Sequence, residues 1–338
     1  MTVPNTSQQP TPERFMGAIN AYQQTEAIKA AVELEIFTAI GEGNTEAAAI
    51  ATRCKAAERG VRILCDFLVI HGFLTKEGVQ FSLAPDSAVF LDKNSPAYMG
   101  GAMEFLLVPR MREAHARLTD AVRQGGCALG EGNLISENPD WVKFAKAMVP
   151  LMFMPSQIMA KELRAGGEAH KVLDIAAGHG VYGISVAKQN PAAQIYACDW
   201  KTVLAVAKEN AQAMGVADRY HLIPGSAFDV DFGGGYDLAL IANFLHHFDP
   251  PTCIAFMRKV HGSLQPGGRA AIVEFVPNPD RVTPPNAAAF SMMMLTTTAA
   301  GDAYTFAELE SMSKEADFKR VELAPPQIGL GRLLIAYR

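Results

Sequence analysis

The stretch Lys171–Asp199, KVLDIAAGHGVYGISVAKQNPAAQIYACD, constrains this chain more than any other. A short apolar run, Val172–Leu173, passes through Asp174, Ile175 and two alanines into Gly178-His179-Gly180. A helical pattern begins at Tyr182, carries Ile184, Val186 and Ala187, and stops at Asn190-Pro191. A second apolar run, Ile195–Cys198, ends in Asp199-Trp200. Strand, glycine turn, helix and strand in this order read as one βαβ unit. Glycines let backbone pass close to a ligand, and the helix N-terminus offers free N–H groups at the same place. Asp199 falls 21 residues after Gly178, at the end of the second strand. A carboxylate there is placed to hold a ribose diol. The unit is built for a cofactor that carries a nucleoside.

At 338 residues the chain is long enough for two domains, each with its own core. Apolar residues at 49% and charged residues at 19% describe an ordered protein, and a net charge of −5 argues against nucleic acid or an anionic membrane as the main partner. The five cysteines (Cys54, Cys65, Cys127, Cys198, Cys253) are odd in number, scattered and without a C-x-x-C pair. They read as reduced core thiols, with neither a metal site nor a disulfide framework. The opening MTVPNTSQQPTPE is polar, and no apolar stretch reaches membrane-spanning length. A cytoplasmic location is the expectation.

Residues 1–12 are expected to be a disordered tail. Phe15, Met16, Ile19, Tyr22, Ile28, Ala31, Val32 and Leu34 then recur at helical spacing. Gly41–Asn44 breaks that pattern, and Thr45 is placed to cap a helix over 46–53. A further helix over 57–71 is amphipathic through Val61, Leu64, Phe67, Leu68 and Ile70, and two short β runs follow around Glu77-Gly78. Three helices and a hairpin resemble a winged helix, a DNA-reading module. The would-be recognition helix pairs Arg59 and Arg62 with Glu58 and Asp66, however, and its second half is almost wholly apolar. Such a face needs a packing partner.

Helical patterns continue over 96–107 and 110–123, and Gly125, Gly126, Gly130 and Gly132 form a loop. A long helix from Asn138 to Leu163, broken or shifted near Pro150 and Pro155, follows it. Phe144, Met148, Met152, Phe153 and Met159 mark its inward face, as core or as pocket wall. Gly166-Gly167-Glu168 is the expected boundary. Beyond Asp199, helices over 201–214, 251–264 and 305–316 alternate with strands over 220–223, 236–241 and 269–275. Two last strands, over 318–323 and 330–337, close the chain as a hairpin.

Gly178, Gly180 and Gly183 fit G-x-G-x-x-G, which leaves a dinucleotide open. Asp174-x-x-x-Gly178-x-Gly180 also resembles the first motif of class I S-adenosylmethionine-dependent methyltransferases, D/E-x-G-x-G-x-G, with Ala176 at its first glycine. The terminal hairpin and the L-x-P-G-G phrase Leu264–Gly268 favour the second reading, because a dehydrogenase half would continue in parallel βα units. The segment from Glu33 to Leu91 resembles the dimerisation domain of small-molecule O-methyltransferases of plant and bacterial secondary metabolism. That resemblance implies an α/β fold: a Rossmann-like seven-stranded methyltransferase sheet with an N-terminal, mainly α, winged-helix dimerisation domain. It implies a dimerisation domain over 13–110, connecting helices lining the acceptor pocket over 111–165, and a catalytic domain over 166–338. It also implies a homodimer, S-adenosyl-L-methionine as cofactor, a small-molecule acceptor, and neither a nucleic acid nor a membrane as partner.

The resemblance carries to single residues. Asp174, Ala176, Gly178 and Gly180 form the cofactor loop, Asp199 takes the ribose hydroxyls and Trp200 stacks on adenine. Gly225-Ser226-Ala227-Phe228 answers the family's G-D-M-F, with Ser226 in place of the aspartate, and Asn243 faces the methionine end. Leu245-His246-His247-Phe248-Asp249 resembles H-D-W-S-D, which gives His246 the role of general base, a residue type that titrates in the useful range. His247, where the family has aspartate, is a solvent-facing or orienting residue. Glu274 matches the first of two glutamates flanking the base. The second becomes Ala303, with Asp302 beside it, in Gly301–Thr305 against G-K-E-R-T. The acceptor pocket takes Phe144, Met148, Met152, Phe153, Met293, Met294, Thr298 and His247. The expected reaction is O-methylation of an apolar aromatic or polyketide-like molecule. The lost glutamate leaves carbon or nitrogen acceptors open, and an NAD(P)-dependent oxidoreductase is the remaining alternative.

Overall fold

The computed structural model describes residues 10–130, 138–168 and 170–338. Residues 1–9 of the expected tail, and Gly132, lie outside the described residues. The chain divides into two compact units, one ending at Gly101 and the other running from Ala102 to Arg338. The helices ahead of Gly166–Glu168 thus belong to the same unit as the sheet.

The first unit packs helices Glu13–Glu33, Ile36–Gly41, Ala47–Cys54 and Glu58–Ile70 against a hairpin, β1 (Leu74–Glu77) and β2 (Gln80–Leu83). Its core holds Ile36, Phe37, Ile50, Val61, Cys65, Leu68, Leu74 and Phe81. Gly78 closes the hairpin at φ 57°, a left-handed conformation that glycine adopts without a Cβ penalty. Thr45 does not cap the next helix. Its carbonyl accepts from Phe81 N at 2.8 Å, and Glu46 bridges to Gln80, so this segment extends the hairpin and the helix begins at Ala47. The helix Glu58–Ile70 is given over to packing: Val61, Cys65 and Leu68 are buried, and Arg62 pairs with Asp66 at 2.7 Å. Phe15, Met16, Ile19 and Tyr22 on the first helix are 65%, 49%, 50% and 63% exposed, an apolar stripe left uncovered within the unit.

The second unit is a seven-stranded sheet of β3 (Lys171–Ile175), β4 (Gln194–Asp199), β5 (Tyr220–Pro224), β6 (Tyr236–Ala242), β7 (Leu264–Glu274), β8 (Arg320–Ile328) and β9 (Gly331–Tyr337). Their order is β5-β4-β3-β6-β7-β9-β8, parallel except for β9, which runs antiparallel to both β7 and β8. Successive residues feed opposite faces. Val172, Leu238 and Leu240 join one core with Met159, Ile184 and Leu204, while Leu173, Ile175, Ala239 and Ile241 join another with Phe256, Met257 and Leu309. The chain turns to one side of β3 for β4 and β5, then crosses to the other for β6. That reversal opens a crevice at the carboxyl ends of β3 and β6.

Several helices differ from the pattern read in the sequence. The stretch 96–107 holds only a 3₁₀ turn, Gly100–Ala102, and a short helix, Met103–Leu106, because two adjacent glycines disfavour a continuous α-helix. Residues 110–123 split at Arg117 into Pro109–Ala116 and Leu118–Gln124. The long helix is two, Asp140–Ala147 and Val149–Glu162. Pro150 sits in the first turn of the second, where its missing N–H costs nothing, and Pro155 lies inside it. Phe153, expected on the inward face, is 37% exposed. Among the described residues no helix is long and apolar enough to cross a membrane.

Candidate active site

The turn after β3 is shaped by three left-handed residues, Ala176 (φ 51°), Gly178 (φ 58°) and Gly180 (φ 77°). At Gly180 a Cβ would lie 2.6 Å from the Tyr220 hydroxyl, so the chain passes there only as glycine. The turn is tied to its neighbours by carboxylates. Asp199 accepts from Gly178 N at 2.8 Å through one oxygen and from Trp200 N at 2.7 Å through the other. Asp174, buried, accepts from Gly183 N at 3.1 Å. Burial pushes Asp174 well above the usual carboxylate range and raises Asp199 to about 6, against the pull of its two amides. His179, also buried, is pushed down to about 4 and is neutral at pH 7. Its Nδ1 accepts from Val181 N at 3.2 Å, and its carbonyl accepts from Asn210 at 2.9 Å.

The next turn is built differently. Gly225 N donates to the Asp199 carbonyl at 2.9 Å, and the Ser226 hydroxyl accepts from Phe228 N at 3.2 Å. Lys259 draws the turn shut by donating to the carbonyls of Ala227, Phe228 and Val230 at 2.9, 2.7 and 2.7 Å. Trp200 is half-buried against the cluster of Ala145, Val203 and Val206.

After β6, Asn243 takes a left-handed conformation (φ 53°), which asparagine tolerates better than most, and donates its N–H to Val273 at 2.8 Å. The reversal aims the next turn at the end of β7. There Glu274 Oε1 accepts from Phe244 N at 3.0 Å, Leu245 N at 2.8 Å and, more weakly, His246 N at 3.4 Å. Glu274 Oε2 meets His246 Nδ1 at 2.6 Å, and both residues are buried. With Nδ1–H donating to the carboxylate, Nε2 is left to accept a proton. Cys253 Sγ, 3.2 Å from the Leu245 carbonyl, braces the turn from below, and Gly301 packs against the His246 carbonyl, where a Cβ would lie 2.1 Å away. Ala303 is fully buried, while Asp302 turns to Arg281 at 2.9 Å, so no second carboxylate supports the imidazole from this loop.

A chain of rings joins the glycine turn to this pair. His179 stacks on Phe144 at 6.2 Å, Phe144 meets Trp141 edge-on at 5.7 Å, and Trp141 meets His247 at 5.6 Å. His247 lies 4.3 Å from His246, which meets the edge of Phe290 at 4.9 Å. Met148, Met152 and Met293 share the cluster of Phe105, Trp141 and Phe144. Of the other expected pocket residues, Phe153 stands outside this cluster. Met294 is buried elsewhere, and Thr298 spends its hydroxyl on Met294 O (2.7 Å) and Gly301 N (2.9 Å) at the helix end. Trp141, Phe105, Phe290 and Tyr182 were not marked by any motif. Tyr182 reaches Met152 Sδ at 3.6 Å, thereby joining the first helix of the βαβ unit to the aromatic cluster. Only the spacing of Trp141 and Phe144 on one helical face hinted at the cluster.

The fold and this edge-of-sheet constellation define a group-transfer enzyme of the Rossmann-like kind. Residues 117–319 match the model of an O-methyltransferase domain, and residues 16–93 match an O-methyltransferase dimerisation domain. A solved protein from Nostoc punctiforme, assigned as an O-methyltransferase, is 50% identical with a TM-score of 0.95, over 98% of this chain and 100% of that one. The 3-hydroxy-5-methyl-1-naphthoate 3-O-methyltransferase of Streptomyces sahachiroi is 24% identical over 90% of this chain and 89% of its own. Human N-acetylserotonin methyltransferase, solved with S-adenosylmethionine, shares the fold at 20% identity and a TM-score of 0.84, over 99% of each chain. The chain belongs to the O-methyltransferase family. It is an S-adenosylmethionine-dependent enzyme, and the oxidoreductase alternative falls away, since β8 and β9 close the sheet where further parallel units would be needed.

The geometry fits that cofactor: a carboxylate at the end of β4, beside a turn in which Gly178 and Gly180 carry no side chain. Asp199→Ala is therefore expected to weaken S-adenosylhomocysteine binding by roughly 1.5–3 kcal/mol in calorimetry. In the wild type, affinity is expected to fall as pH drops through about 6, where Asp199 takes up its proton. Wild-type affinity in the variant would remove Asp199 from the site.

Proposed function

We propose that the enzyme transfers a methyl group to a hydroxyl of an apolar aromatic or polyketide-like small molecule, with His246 as general base and Glu274 as its orienting partner. The observation that carries this reading is the 2.6 Å contact between His246 Nδ1 and Glu274 Oε2 at the carboxyl edge of the sheet. When bound, S-adenosyl-L-methionine supplies an electrophilic sulfonium methyl. In this reading Asp174, Ala176, Gly178 and Gly180 shape its cradle, and Asp199 binds its ribose. Trp200 and the turn Ser226–Phe228 flank its base, and Asn243 borders its methionine end. Phe144, Met148, Met152 and Met293 hold the acceptor's apolar body, and His247 sits beside the reacting hydroxyl. The chain's own chemistry is then positioning and proton removal: the carboxylate fixes one tautomer of His246, and Nε2 takes the hydroxyl proton as the oxygen attacks.

His246→Ala is expected to lower turnover by roughly 10²–10⁴-fold with S-adenosylhomocysteine binding intact, and Glu274→Gln to cost less, because it removes support but not the proton acceptor. Near-wild-type turnover in His246→Ala would make His246 a structural residue only.

We further propose that the protein acts as a homodimer in the cytoplasm. The matched dimerisation domain and the exposed stripe Phe15, Met16, Ile19 and Tyr22 support the first part, and five free cysteines suit a reducing compartment. An interface of the obligate kind buries more than about 2,000 Å². Sedimentation at micromolar concentration is expected to show a dimer, and Ile19→Glu to weaken it. A well-folded wild-type monomer would contradict the assignment.

A further inference from the structure

Lys259, on the helix Pro250–Ser263, belongs to none of the motifs read in the sequence. Its ammonium nevertheless donates to the carbonyls of Ala227, Phe228 and Val230 at 2.9, 2.7 and 2.7 Å, and it stands 4.4 Å from the centre of the Phe232 ring. All three donors of an ammonium are thus spent on the main chain of one turn. That turn bonds as a helix does. Asp229 N and Val230 N both donate to the Ser226 carbonyl at 3.0 Å, and the carbonyls that follow have no partner inside so short a turn. Lys259 collects these carbonyls. Phe228, in the middle of the turn, is 38% exposed, and its ring adjoins those of Phe248, Phe256 and Phe244 at 4.9, 5.4 and 6.0 Å.

The place of this turn follows from the strand order β5-β4-β3-β6. His246 follows β6, the glycine turn follows β3 and Asp199 ends β4. The turn that Lys259 holds follows β5, where Gly225 N reaches the Asp199 carbonyl at 2.9 Å. A cofactor with its methyl at His246 and its ribose at Asp199 carries its purine one strand further on, beside Phe228. We propose that Lys259 is a positioning residue for that purine: its ammonium holds the backbone of residues 227–230, and with it the ring of Phe228, in the conformation that binds. This rests on the reading of the turn as the purine's neighbour. Lys259 acts through the main chain, on affinity rather than on the reacting centre. Without the ammonium the turn is free to open, and a site formed for only a fraction of the time binds more weakly by that fraction. Methionine at this position keeps the length of the stem but brings no donor, so three carbonyls lose their partner.

The test measures S-adenosylhomocysteine binding by calorimetry, and the melting temperature, in the wild type and in Lys259→Met, Lys259→Arg and Phe228→Ala. Lys259→Met is expected to raise the dissociation constant by about tenfold, as a turn formed about a tenth of the time requires. Lys259→Arg, which keeps the charge and several donors, is expected to restore part of the affinity. If Lys259→Met does not fold, Lys259→Gln, with one amide group to donate, reads the same constant. A merely structural role would lower the melting temperature and leave the affinity of the folded protein unchanged. That result, or a loss of affinity that Lys259→Arg does not relieve at all, overturns the proposal. If Phe228→Ala weakens binding and Lys259→Met does not, the place of the purine stands and only the role of Lys259 falls. If neither variant weakens binding, the placement of the purine beside this turn falls as well.

Discussion

Glu274 ends β7 with a carboxylate only 2% of the residue's surface away from complete burial, and its two oxygens serve different ends. One gathers the amides of Phe244 and Leu245, and so fixes the path of the chain as it leaves β6. The other holds the imidazole of His246. Hydrogen bonds to a buried anion are among the stronger ones available, and they offset the cost of taking the charge out of water. A single side chain thereby sets both the backbone of the turn and the tautomer of His246. The arrangement needs the ends of β6 and β7 side by side, which the parallel pairing Ala242↔Val273 provides.

The same edge carries the cofactor side. The chain reverses direction across the sheet between β3 and β6, so the glycine turn and the histidine turn open onto one crevice. Asp199 ties the first turn to β4 and Asn243 ties the second to β7. Between them, the rings from His179 to His246 form an apolar floor. Desolvation there raises Asp199 and lowers His179 and His247, which leaves both imidazoles neutral at pH 7.

Local chemistry made much of this legible in the sequence. The βαβ unit at 171–199 is announced by its glycines and by a change from strand to helix periodicity, and the terminal hairpin by two apolar runs. Glu274 and His246 were found through motif resemblance, because 28 residues separate them and no periodicity connects them. What stayed hidden depends on contacts distant in sequence. Thr45 has the right side chain for a cap, yet its carbonyl is drawn to Phe81. Met293 and Met294 look alike in a row of methionines, but the step of about 100° between helical neighbours sends the first to the aromatic cluster and buries the second elsewhere. Trp141 and Phe290 belong to no motif, and they reach the histidines only once the sheet is assembled.

The central claim is that the buried Glu274–His246 pair removes the acceptor's proton. The pH dependence of kcat/KM for wild type and His246→Ala tests it most directly, with an acceptor hydroxyl of little intrinsic acidity. The account predicts a rate that rises on the acid side in the wild type, and a much lower rate in the variant from which that limb has vanished. A variant that keeps the same acid limb would show that another group, or none, takes the proton.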